Sequence, residues 1–166
     1  MGQSLTKQWA CNYSIEDTQM AKPDPIVGTW ELNTDKTEFS PFLLAILNQK
    51  SVKEATAVYR EIDRDLLEYT GTYTPADGAP VSGTYTWPRQ GGIARKKAPA
   101  PLPDGMSIVE TLIAPGNWCA TFLQKGIQVI VIHKIVGENG KTMQEIYKGM
   151  DPQGKPFEAQ MWYDRQ

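Results

Sequence analysis

The sequence has few of the residues on which catalytic and metal chemistry depend. It holds two cysteines, Cys11 and Cys119, and one histidine, His133, among 166 residues. Two cysteines with one histidine and scattered carboxylates give no recognisable metal-ligand spacing, so no metal is expected. The cysteines read as two separate thiols, with a disulfide between them as the alternative, since a chain of this size does not need a disulfide scaffold. Charge of one sign is not in excess, with 17 basic against 19 acidic residues, and that balance disfavours a nucleic-acid partner. The one dense basic cluster, Arg95-Lys96-Lys97, reads as a solvated strand end rather than a phosphate grip. No run approaches the ~18 apolar residues of a membrane span. Nor is there a Gly-x-Ser-x-Gly nucleophile elbow or a glycine-rich phosphate loop, and neither an organic cofactor nor a metal is implied.

The beginning of the chain lacks the apolar core of a secretory signal, so a cytoplasmic location is the expectation by default. Met1-Gly2-Gln3-Ser4-Leu5-Thr6 fits the permissive myristoylation pattern, but a plain unstructured start is the preferred reading. Residues 1–25 show no period and end in Pro23-Asp24-Pro25, which marks an arm ahead of a single domain at 26–166.

Short alternating or apolar runs then recur with turn signals between them. They fall at 27–33, 52–62, 66–74, 82–88, 92–97, 106–113, 118–124, 127–136, 141–150 and 157–164. Such spacing predicts an all-β fold, an antiparallel barrel or sandwich. Glu138-Asn139-Gly140 and Asp151-Pro152-Gln153-Gly154 are turn sequences, while the Pro-rich 98–105 is an extended loop. One segment departs from the strand rhythm: Ser40-Pro41 reads as a helix start, and the apolar run after it predicts a short helix near 40–49, with a buried strand as the rival.

The two ends of the domain carry a family resemblance. Gly28-Thr29-Trp30-Glu31-Leu32-Asn33-Thr34-Asp35-Lys36-Thr37 opens it. Gly140-Lys141-Thr142, Lys148-Gly149-Met150-Asp151-Pro152-Gln153-Gly154-Lys155-Pro156 and Tyr163-Asp164-Arg165-Gln166 close it. Together they resemble the calycin superfamily of lipocalins and fatty-acid-binding proteins, and more closely a group of bacterial lipocalin-like proteins. The middle of the chain matches only in strand rhythm. The apolar insert at 40–49 and the missing secretion leader depart from that group. The resemblance implies a single lipocalin-like barrel of about 8–10 strands around a small-molecule cavity, and no shared catalytic residues.

Side chains alternate inward and outward along a barrel strand, so parity selects a lining. Over 127–135 the odd positions Ile127, Val129, Val131, His133 and Ile135 form one face, with Gln128 and Lys134 marking the other as wet. Met143, Glu145 and Tyr147 share a face, as do Phe157, Ala159, Met161 and Tyr163. The ligand-binding candidates are therefore Arg60, Tyr69, Tyr73, Tyr85, Trp87, Trp118, Phe122, Val131, Met143 and Met161, and the candidate catalytic groups His133, Glu145 and Tyr147. Trp30 is expected to plug the barrel floor.

Apolar walls with a few orienting polar groups describe a small-molecule pocket, although the same aromatics would also fill a collapsed core. Three functions stay open at this point. The first is a module binding a hydrophobic or aromatic small molecule. The second is an isomerase or cyclase that templates a polyketide- or terpenoid-like substrate, with His133, Glu145 and Tyr147 assisting. The third is a protein-interaction barrel with no ligand. A homodimer is compatible with each.

Overall fold

The computed structural model describes residues 22–41, 44, 50–97, 104–151 and 153–166. Among these are eleven antiparallel strands: β1 (Gly28–Leu32), β2 (Glu54–Asp63), β3 (Leu66–Thr74), β4 (Val81–Pro88), β5 (Gly92–Ile93), β6 (Arg95–Lys96), β7 (Met106–Ala114), β8 (Asn117–Gln124), β9 (Ile127–Val136), β10 (Thr142–Met150) and β11 (Pro156–Arg165). They form one sheet in the order β5-β7-β8-β9-β10-β11-β1-β2-β3-β4-β6. β1 to β4 and β7 to β11 each follow in sequence order, the arrangement that hairpin connections impose, and β1 pairs with β11 to join the two runs. At the β8–β9 turn both central residues, Lys125 (φ 50°) and Gly126 (φ 81°), take the left-handed conformation of a two-residue hairpin.

The expected strand at 92–97 is split in two. Gly92 and Ile93 pair with Glu110 and Val109 of β7, after which Arg95 and Lys96 pair with Thr86 and Tyr85 of β4. The Ala94 N–H donates to the Ile108 carbonyl at 2.9 Å and the Lys97 N–H to the Thr84 carbonyl at 2.8 Å. A single six-residue segment thus joins the two edges of the sheet and closes the barrel along a narrow seam. These two-residue strands raise the count above the eight to ten expected. The helix expected near 40–49 falls mostly outside the described residues; the Leu44 N–H does donate to the Ser40 carbonyl at 3.1 Å, the spacing of a first helical turn.

Trp30 closes one end of the barrel, as expected. It has no exposed surface, and its indole N–H donates to the Ile26 carbonyl at 2.8 Å. The Arg165 guanidinium lies 4.1 Å over its ring and donates to the carbonyls of Pro25, Val27 and Gly140. Asp24, in the segment read as an arm, belongs to this floor too. Its carboxylate accepts the N–H groups of Ile26 (2.9 Å) and Gly116 (3.1 Å). From the floor the connection between β1 and β2 climbs along β11. The Asn33 N–H donates to the Trp162 carbonyl, the Trp162 N–H donates to Thr37 Oγ1, and Glu38 bridges to Gln160.

Candidate functional site

Every long strand buries alternate residues, and the buried set faces a cavity above the floor. The cavity has a volume of about 80 Å³ and is partly open to solvent. Its walls are mostly aromatic: Tyr59, Tyr69, Tyr73, Tyr85, Trp87, Phe122 and Tyr147. Gly71 and Gly83, cross-strand partners on β3 and β4, line it as well. The absence of a side chain at Gly71 is required, because a Cβ there would lie 2.1 Å from the Tyr69 hydroxyl. That glycine lets the Tyr69 ring lie flat along the wall.

Three charged side chains sit among the rings. Lys134 Nζ meets Glu110 Oε1 at 2.7 Å, with the two side chains 7% and 5% exposed. The same ammonium lies 5.6 Å from the ring centroid of Tyr59, 5.8 Å from Tyr69 and 5.4 Å from Trp87, within cation–π range of all three. Glu145 faces Lys134 from the neighbouring strand and is 3% exposed. Its carboxylate accepts the Tyr147 hydroxyl at 2.7 Å and the Tyr59 hydroxyl at 3.3 Å. Burial raises the proton affinity of Glu145, against the opposing pull of Lys134 and the two tyrosine donors. Burial likewise pushes the Tyr73 hydroxyl up to about 12, and those of Tyr59, Tyr69, Tyr147 and Tyr163 well above their ordinary value. Around Glu145 the phenols therefore act as hydrogen-bond donors, not as bases.

The structure brings together most of the residues selected by parity. Glu145, Tyr147, Tyr69, Tyr73, Tyr85, Trp87 and Phe122 line the cavity. Trp118, Met143 and Met161 point inward and are fully buried, but they pack in the core without lining the cavity. Three candidates lie elsewhere. His133 and Val131 are on the outer face of β9, where Ile130, Ile132 and Lys134 are the inward residues, and Arg60 is exposed on β2 beside the inward Tyr59. For β9 the error has a plain cause. Both faces of the strand are apolar, and the one cation that marks a face as wet is buried against a carboxylate.

Tyr59, Glu110 and Lys134 are the polar lining residues that parity missed. A signal for Lys134 was present. Folding the chain about Asn139-Gly140 sets residue 134 opposite residue 145, and directly paired residues in an antiparallel ladder share a face. An inward Glu145 therefore requires an inward Lys134. His133 is instead paired with Cys119 and Ile146 on the outside. Cys119 is a half-buried thiol whose pKa is raised by burial, and Cys11 lies outside the described residues.

Among the described residues no three His, Cys, Asp or Glu side chains are grouped to hold a metal ion. No helix among them is long and apolar enough to cross a membrane.

A nearly closed antiparallel sheet around an interior cavity makes this an all-β barrel of calycin-like fold. Solved structures bear out the architecture. The chain is similar to a point mutant of the fluorescent protein UnaG, with a TM-score of 0.61 at 15% identity, covering 86% of this chain and 96% of that one. It is similar to wild-type UnaG with a TM-score of 0.57 at 12% identity, covering 85% and 97%. No protein-family model matches the sequence, and no curated protein matches it.

Proposed function

We propose that this chain is a binding module that holds a hydrophobic, aromatic small molecule inside the barrel. The observation that carries this reading is a cavity of about 80 Å³ walled by seven aromatic rings above a floor sealed by Trp30. Apolar walls with a few buried polar groups are the composition of ligand pockets.

The test is native mass spectrometry of protein purified from its host without organic solvent, together with titration by the neutral apolar dye Nile red. A bound mass released by denaturation, and dye fluorescence that saturates at one equivalent, are the expected results. An empty protein that leaves the dye dark would overturn the reading.

One observation favours a second reading, an isomerase or cyclase acting on a polyketide- or terpenoid-like molecule. Glu145 carries a raised proton affinity, lines the cavity and is held by the Tyr59 and Tyr147 hydroxyls, which is the arrangement of a general acid. Outward-facing His133 has no part in it. If the cavity is catalytic, Glu145→Gln abolishes turnover of the extracted molecule while leaving its binding intact; unchanged turnover in that variant excludes acid assistance.

A further inference from the structure

We propose that the cavity selects an uncharged aromatic molecule whose polar head sets a carbonyl acceptor beside an N–H or O–H donor. This rests on the small-molecule reading above and adds the chemistry of the ligand's head group.

The argument starts from charge. The Lys134–Glu110 pair is closed at 2.7 Å and buried on both sides, so the interior already balances its cation. An anionic head would have to displace Glu110 from Lys134, or sit in the cavity uncompensated; each is costly out of water. A cationic head would compete with Lys134 itself, whose ammonium already occupies the faces of Tyr59, Tyr69 and Trp87. Glu145 already gives its two carboxylate oxygens to the Tyr59 and Tyr147 hydroxyls.

Unused hydrogen-bonding capacity then sets the pattern. The Tyr85 hydroxyl, the Trp87 indole N–H and Glu110 Oε2 are buried with no hydrogen-bond partner among the described residues. Their residues are 9%, 2% and 5% exposed, and all three line the cavity. Burial raises the Tyr85 pKa to about 12, so its hydroxyl keeps its proton. Two of these groups donate and one accepts. They also lie on one stretch of wall. Tyr85 and Trp87 are on β4 and Glu110 is on β7, the two strands joined by 92–97, whose Lys96 pairs with Tyr85 and whose Gly92 pairs with Glu110. A head that accepts from Tyr85 or Trp87 and donates to Glu110 satisfies groups on both sides of the seam.

The experiment compares four probes of one shape, each displacing Nile red from the full chain. They are 2-naphthamide (neutral, acceptor and donor), 2-naphthoate (its isosteric anion), 2-naphthylmethylammonium (a cation) and 2-methylnaphthalene (no head). The amide is expected to bind about tenfold or more tighter than each of the others, the size of one or two buried hydrogen bonds. Tyr85→Phe is expected to reduce that advantage, the amide losing affinity relative to 2-methylnaphthalene. Equal or tighter binding of the naphthoate or the ammonium overturns the proposal in favour of a charged ligand. Equal binding of the amide and 2-methylnaphthalene overturns it by showing that the head is not read, and leaves the small-molecule reading standing. Failure of all four to displace dye, with an empty protein in native mass spectrometry, overturns both.

Discussion

Lys134 and Glu110 form a pair that is costly to break and cheap to replace. A buried ion pair gains little over an apolar pair of similar volume, but removing one member strands the other charge. Lys134→Met is therefore expected to destabilise the fold by about 3–5 kcal/mol, and adding Glu110→Leu to recover most of that loss, as read by urea unfolding of both variants. A loss that persists in the double variant would show that the pair contributes stability of its own. Glu145 gives a pH dependence of definite sign. Its folded-state pKa is raised by burial above the ordinary value near 4.5, so the folded protein holds the proton more tightly than the unfolded chain. That contribution is fully present below about pH 4.5 and is lost as pH rises through the higher folded value. The melting temperature of the wild type should thus fall relative to Glu145→Gln as pH rises above about 4.5, and parallel curves for the two proteins would contradict the assignment.

Strands differ in how firmly the barrel holds them. β9 and β10 are paired along their length, whereas β5 and β6 comprise two residues each and hold the seam by a handful of bonds. The amides of Ala94 and Lys97 are expected to exchange with solvent about tenfold or more faster than those of Ile132 and Lys134, as measured by native-state hydrogen exchange. Legibility in the sequence varied in the same way. Turn residues and alternation located nearly every strand to within about two residues, because period and punctuation are local properties. The split at 92–97 was hidden, since which edge a residue pairs with depends on strands far away in sequence. Parity was right on β3, where Thr70, Thr72 and Thr74 oppose Leu67, Tyr69 and Tyr73, but it misplaced Arg60 on β2. It failed on β9, where the strand is apolar on both sides and its inward charge is cancelled by a residue 24 positions away. Buried charges are legible only in pairs.

For the whole molecule, the floor is what ties the sheet into a barrel. Arg165 spans three backbone segments and covers Trp30, so Arg165→Ala should cost about 2–4 kcal/mol, the scale of several charge-assisted hydrogen bonds together with one cation–π contact. Chemical denaturation measures it; a loss under about 1 kcal/mol would mean that packing alone holds the floor. β1 lies between β2 and β11 in the sheet, and its Trp30 faces Arg165 across that second ladder. On the ribosome this order has a consequence. β2 can pair with β1 as soon as both have emerged, but the other side of β1 waits until the segment Pro156–Arg165 is released from the exit tunnel. Until then β10 presents an open edge and Trp30 lacks its cover. Closure is therefore a late, non-local event, and a nascent chain stalled before Pro156 is a curled sheet with two sticky edges, a natural client for a chaperone.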